Sequence, residues 1–421
     1  MFGPSKGQCR KLGCFVLCRL FTKLPQPKFM ELDAIMNESE SIKDWIIDIR
    51  RELHRFPELM YEEHRTNALV REKLDELGIE YDFPIAETGV LASIGNGDGP
   101  CIALRADMDA LPIHEAADVD FKSEIDGKMH ACGHDCHTAM LLGAAKILSE
   151  KEIHGTVKFL FQPAEEGGAG GQKMTNEGAL DDPEVERIFG LHVWPRMPTG
   201  QVGSRAGSFL AAASFMDIEV RGVGGHAASP HFCVDPVLTS SRIIDSLQSI
   251  VSRETDPLES AVVSVTAVNG GDAHNVIPES VAIKGTVRSL TMDGLRRLQT
   301  RVSEICELVG RANGCEVDVA FPGNDYPPTY NDPETWDFAK GVAESMIGEE
   351  NVNELAPVMG GEDFAFYTQK TKGCFVVLGV NNPDKGCIYN VHTPQFKVDE
   401  DALPLGTALH VSFALESLND C

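Results

Sequence analysis

Four short stretches of this chain are apolar almost without interruption: Cys101 to Arg105, Val157 to Phe161, Arg187 to Leu191 and Cys374 to Val380. A strand with one face in water alternates apolar and polar residues, whereas a strand covered on both faces need not. Runs of this kind, set among Gly and Pro and separated by helical segments, predict an α/β fold with a parallel or mixed sheet under helices. Helical spacing is clearest where Trp45, Ile46, Ile49, Leu53 and Phe56 recur across Ile42 to His64, and it continues from Thr66 to Leu77 and from Thr138 to Leu148.

Between Gly207 and Phe321 the order of elements changes. It reads strand (Phe215 to Val220), helix (Val237 to Arg253), strand (Val262 to Val268), strand (Val281 to Ser289), helix (Leu295 to Asn313), strand (Glu316 to Phe321). That is the βαββαβ order of a ferredoxin-like module. A single core stops growing at roughly 250 to 300 residues, so a chain of 421 residues has room for two. The expected division is a basic N-terminal extension over 1–41, a larger domain from 42–206 and 322–421, and a smaller α+β domain inserted over 207–321.

Charge and cysteine usage remove several classes of function. Lys and Arg total 37 against 64 Asp and Glu, a formal charge of −27, and no basic stripe in the body of the chain could displace counterions from nucleic acid. No stretch approaches the roughly 20 apolar residues that cross a bilayer. The 12 cysteines are scattered rather than spaced as a disulfide scaffold, which predicts reduced thiols and an intracellular home. Six basic residues (Lys6, Arg10, Lys11, Arg19, Lys23, Lys28) precede the first acidic one, Glu31. They allow a mitochondrial transit peptide or a natural start at Met30; a cytoplasmic location is expected otherwise.

The densest chemistry lies in His130-Ala-Cys-Gly-His-Asp-Cys-His137, just before a helical run. Two residues apart on a helix, Cys132 and His134 would diverge, but a turn at Gly133 lets them converge. Asp135 is the expected N-cap, placing the thiol where the helix dipole and a cation both favour thiolate. The strand ending Gln162-Pro-Ala-Glu-Glu166 brings two adjacent carboxylates, of which one can hold a metal while the other faces its water. His192 and His392 follow two more apolar strands, and Asp107 and Asp109 end the strand beginning at Cys101. Ligand-type residues thus gather near the carboxyl ends of several strands, where open α/β sheets place their sites. The donors Cys132, His134, Glu166, His192 and His392 suit zinc, manganese, cobalt or nickel better than magnesium or calcium.

These motifs, with Leu53-His-Arg-Phe-Pro-Glu-Leu59, Leu104-Arg-Ala-Asp-Met-Asp-Ala-Leu-Pro112, Gly224-Gly-His-Ala-Ala228, His274-Asn-Val-Ile-Pro278 and Gly361-Glu-Asp-Phe364, make the chain resemble the M20 metallopeptidase family from about Ile42 to His410. The likeness is to its amidohydrolase branch, which holds hippurate hydrolases, N-acyl-diaminopimelate deacetylases and auxin-conjugate hydrolases. The resemblance implies a mixed-sheet, metallo-aminopeptidase-like catalytic domain with an inserted lid or dimerisation domain. It also implies two divalent ions per subunit, Cys132 shared between them, with His134, Glu166, His192 and His392 completing their shells. Glu165 is then the general base, His226 stabilises the oxyanion, often from the partner subunit, Asn275 holds substrate, and Asp107 and Asp109 orient ligands. Two departures from the family pattern touch the lid: a Ser at 229 where bulkier residues are common, and Cys233 where Gly is common.

The expected activity is hydrolysis of the amide bond of a small N-acyl amino acid by metal-activated water, with Glu165 taking the proton, in a homodimer or homotetramer. A dipeptidase or carboxypeptidase of the same fold is the rival within enzymes. A non-catalytic metal-binding protein is the rival outside them, and it is disfavoured because the base and every ligand type are present.

Overall fold

The structure, a computed structural model, describes Gly3 and residues 32–421; the basic segment before Leu32 lies outside the described residues. Along the chain run α1 (Leu32–Ser41), α2 (Lys43–Arg55), α3 (His64–Leu77), β1 (Glu80–Ile85), β2 (Gly89–Gly95), β3 (Cys101–Asp107), α4 (His134–Ser149), β4 (Thr156–Gln162), β5 (Arg187–Pro198) and β6 (Val202–Ser204). Then come β7 (Ala212–Arg221), α5 (Pro236–Ser249), β8 (Ala261–Asn269), β9 (Ser280–Ser289), α6 (Met292–Ala312), β10 (Glu316–Ala320), α7 (Pro333–Ile347), β11 (Val352–Glu354), β12 (Lys372–Asn381) and α8 (Leu403–Asp420).

The four apolar runs form neighbouring parallel strands at the centre of an eight-stranded mixed sheet of order β1-β2-β4-β3-β5-β12-β6-β11. Their composition follows from the two cores they serve. Ile102, Leu104, Phe159, Phe161, Phe189, Leu191, Val376 and Leu378 point to one face, under α2, α4 and α8. The residues between them, Ala103, Leu160, Ile188, Phe375 and Val377, point to the other, under Phe209, Phe364 and Tyr367. Alternation is hidden in the sequence because both faces are dry.

A separate four-stranded antiparallel sheet, β8-β9-β7-β10, carries α5 and α6 on one face. Met216, Ile218 and Val220 pack under those helices with Ile243, Leu247, Leu298 and Val302, while Phe215 and Glu219 face outward. Asp235 caps α5 by accepting from Val237 N and Leu238 N, and Thr291 caps α6 by accepting from Gly294 N. Among the described residues no helix is long and apolar enough to cross a membrane.

Two boundaries differ from expectation. The helix expected to reach His64 stops at Arg55, because Pro57 crowds the helical conformation of Phe56. The segment 32–41, grouped above with the N-terminal extension, is instead a helix that buries Leu32 and Ile35 in the larger core against α8.

Close packing sets the middle of β5. A Cβ on Gly190 would lie 2.7 Å from the Phe364 ring and 2.8 Å from that of Phe375. Gly190→Ala is therefore expected to cost about 1 to 3 kcal/mol of stability by overpacking, read as a lower urea midpoint at unchanged m-value.

Candidate active site and metal centre

Parallel pairing aligns the carboxyl ends of β3, β4, β5 and β12, and the donor residues gather there. β3 runs into Asp107 and Asp109, and β4 into Glu165 and Glu166. His192 lies within β5, two residues past the last pairing with β3 at Gly190, where that edge of the strand is released. His392 arrives on the loop after β12, in a left-handed conformation (φ 60°) and tied to Ala131 O by its own N–H.

At the start of α4 the N-cap is Gly133 (φ 97°), not Asp135, and the helix begins at His134. A Cβ at 133 would come within 2.4 Å of Val193 Cγ2, so the turn that swings Cys132 and His134 together needs glycine for space as well as for conformation. Asp135 sits inside the first turn with its carboxylate directed at buried cations: Arg50 Nε donates to it at 2.8 Å and His54 Nδ1 lies at 2.8 Å.

The ring nitrogen, sulfur and carboxylate atoms of Cys132, His134 and His192 lie within 4.8 Å of one another, and so do those of Cys132, Glu166 and His392. Cys132 belongs to both groups. Cys132 Sγ is 3.4 Å from His192 Nε2, and Glu166 Oε1 is 3.1 Å from His392 Nε2. His134 Nε2 is buried without a hydrogen-bond partner among the described residues, an expensive state unless something accepts its lone pair. Surrounding groups prepare the rings for ligation. His192 Nδ1 donates to Val193 O at 2.7 Å, leaving Nε2 free, and His134 Nδ1 lies 3.3 Å from Asp109 Oδ1. These residues fit a pair of divalent cations with an affinity for sulfur and nitrogen.

Charge supports the same fit. Burial, with Glu166 and Glu165 next, pushes the Cys132 thiol well up, and burial with Glu362 and Glu166 pushes Glu165 well up. His192 is held well below its ordinary value by burial and by His137. Glu166 moves the other way, held below its ordinary value by His392 and His134 against the cost of burial, so the thiol and Glu165 are the two acids here that a bound cation would help to ionise.

Behind this layer lie Asp107 and Asp109, expected from the sequence, together with Arg105, His137 and Tyr326, to which it assigned no role. Arg105, fully buried, donates to Gln162 Oε1 (2.8 Å), Asp107 Oδ2 (2.7 Å), Glu362 Oε1 (2.9 Å) and Asp363 Oδ1 (2.8 Å). An arginine inside an otherwise apolar strand was the available signal. Asp107 also meets His137 Nδ1 at 2.6 Å, and Asp109 accepts from Glu165 N and Glu166 N, both at 3.0 Å. The Tyr326 hydroxyl donates to Glu165 O at 3.1 Å and accepts from Ala169 N at 3.0 Å.

His226 and Asn275 are elsewhere. They are exposed on a short ribbon in which His226 pairs with Val276 and Ala227 N donates to Asn275 O, and neither lines the cleft that holds the metal donors.

Residues 103–416 match Peptidase family M20/M25/M40. The chain belongs to that family. Within it the chain is similar to IAA-amino acid hydrolase ILR1-like 2 of Arabidopsis thaliana, 48% identical over 91% of this chain and 87% of the relative. It is similar also to N-acetylcysteine deacetylase of Bacillus subtilis, 39% identical over 88% of this chain and 96% of the relative. A solved Bacillus subtilis structure, described as a dinuclear metal binding peptidase from the M20 family, superposes with TM-score 0.77 at 35% identity, covering 91% of this chain and 100% of that one. This M20 chain is an enzyme of the amidohydrolase branch, with the mixed α/β fold of dinuclear members.

Asp109 serves His134 and both glutamate amides at once. Asp109→Ala should weaken metal binding by about 10- to 100-fold, measured by competition with a chromogenic chelator.

Proposed function

We propose that this enzyme cleaves the amide bond between a small acyl group and an amino acid, with Glu165 as general base and two divalent ions held by Cys132, His134, Glu166, His192 and His392. The observation that carries the reading is Glu165 itself. It is a buried carboxyl at the edge of the donor cluster, and its side chain accepts no hydrogen bond from a described residue. Every neighbouring acid has a partner; this one is kept free for a proton. Manganese, zinc, cobalt and nickel all suit the donors. When bound, such ions lower the pKa of water and polarise the acyl carbonyl.

The chain's own groups supply the rest. Glu165 accepts the proton of the attacking water and delivers it to the leaving amine nitrogen, so no charged nitrogen anion has to depart. Burial raises its affinity for that proton. The cleft beside it has a volume of about 590 Å³ and is lined by Trp194, Leu210, Phe215, Val358 and Phe375, which suits an apolar acyl group. On its far wall is Arg288, from β9. The guanidinium donates to Met359 O at 2.8 Å and has no carboxylate partner among the described residues, and burial lowers its pKa. An unpaired cation in a substrate cleft is well placed to take the carboxylate of the amino acid. The two similar proteins are named for amino-acid derivatives, which agrees with a substrate carrying both groups.

The unit built on β7 to β10 contributes Phe215, Thr286 and Arg288 to the cleft, and its closure over substrate would shut out water. Because His226 and Asn275 lie outside their own chain's cleft, their roles at the oxyanion and the substrate require a neighbouring subunit, in a dimer or tetramer.

Glu165→Gln should retain two ions per subunit by metal analysis and lose about 10²- to 10⁴-fold in kcat; substantial residual turnover would refute the assigned base. Arg288→Met should raise KM for N-acyl amino acids by about 10- to 100-fold and leave KM unchanged for the matching N-acyl amino amides. Hippurate, N-acetyl amino acids and dipeptides assayed side by side separate an amidohydrolase from a dipeptidase.

A further inference from the structure

The loop that presents Glu165 and Glu166 has no regular secondary structure and holds two non-glycine residues in the left-handed region, Ala164 (φ 55°) and Ala169 (φ 53°). Such residues are strained and persist only where the surroundings overdetermine them. Three consecutive amides of this loop donate to buried carboxyls. Glu165 N and Glu166 N reach the two oxygens of Asp109, both at 3.0 Å, and Ala164 N reaches Glu63 Oε1 at 2.9 Å.

Glu63 has no part in the chemistry described above. Its side chain is fully buried, it forms no ion pair among the described residues, and its second oxygen accepts from Thr88 Oγ1 at 2.5 Å. It lies just before α3, far from the loop in sequence. The loop cannot relax around it easily: a Cβ on Gly168 would meet Ala164 Cβ at 2.6 Å, and one on Gly170 would meet Pro163 O at 1.7 Å. Tyr61, two residues before Glu63 and itself left-handed (φ 61°), donates its hydroxyl to Gly168 O at 2.7 Å.

We infer that Glu63 is a positioning residue for the general base: by accepting the Ala164 amide it holds the left-handed turn that aims Glu165 into the cleft while Glu166 turns to the metal. The inference rests on the proposed role of Glu165. Asp109 fixes the two glutamate amides and Gly170 N donates to Ala164 O at 3.2 Å, which leaves the Ala164 amide to Glu63; rotation at Ala164 would swing Glu165 away from its target. Burial lifts the Glu63 carboxyl to about 7, yet either protonation state has an oxygen for the Ala164 N–H. Acceptance, not charge, is what the loop needs.

The test compares Glu63→Ala and Glu63→Gln with the wild-type protein, all assayed as the metal-loaded full chain, with kcat expressed per metal-loaded site. Glu63→Ala should lower kcat by on the order of 30- to 100-fold, change KM less than about threefold, and keep two ions per subunit. Glu63→Gln, whose amide oxygen can accept from Ala164 N, should recover to within about threefold of wild type. If Glu63→Ala does not fold, Thr88→Val, which removes the donor that fixes the carboxyl, should lower kcat by about 3- to 10-fold at unchanged KM. The inference is overturned if kcat per loaded site stays within twofold of wild type in Glu63→Ala (or in Thr88→Val when the first variant is insoluble), if the loss follows metal loss, or if Glu63→Gln is no better than Glu63→Ala. Glu165→Gln in the same series separates the two ideas: turnover surviving in that variant removes the base and the inference with it, while a dead Glu165→Gln beside a fully active Glu63→Ala removes only the inference.

Discussion

One buried guanidinium holds the back of the site together. Arg105 lies in the central strand β3 with four acceptors around it, drawn from β3, β4 and the segment 362–363. Removing a charge from water is costly, and it is tolerated only when partners and geometry are nearly complete. Here three carboxyls, Asp107, Glu362 and Asp363, surround one guanidinium. Burial leaves Glu362 at about 8 and Asp363 at about 6, with Arg105 pulling both downward.

Each layer in front of Arg105 restrains the next. Asp107 orients His137, whose Nε2 accepts the Val193 N–H beside His192. Asp109 touches His134 and fixes the amides of both glutamates. Few side chains do two jobs near a metal without geometric constraint, and the constraint here is glycine. Gly133 lets Cys132 and His134 turn inward against Val193, and Gly190 lets β5 lie against Phe364 and Phe375. The candidate donors are thus held by contacts within the protein itself, and such preorganisation lowers the ordering that binding must impose.

The cleft joins two bodies with different cores. The candidate donors and Glu165 stand at the carboxyl ends of the parallel strands and on the loops that follow them, whereas Phe215, Thr286 and Arg288 come from strands of the antiparallel unit. The walls of the cleft are thus drawn from both cores.

The mixed sheet, the βαββαβ order of elements and the gathering of Cys132, His134, Glu166, His192 and His392 at one place were legible in the sequence, because burial on both faces and donor-type side chains leave local marks in residue type and spacing. Local reading failed where partners are distant. The helix expected through His64 ended at a proline, and Asp135, which looks like a cap, is claimed by Arg50 some 85 residues earlier. Arg105 with Glu362 and Asp363, Glu63 with Ala164, and Arg288 in the cleft carry no spacing signal at all. They meet because parallel strands place their ends at one level and the chain returns to that level from both sides. Residue chemistry determined which atoms could bind metal; only the packing of strands, loops and the second unit decided which carboxyl is left free and what surrounds it, since hydrogen-bond partners and local dielectric are properties of three-dimensional neighbours.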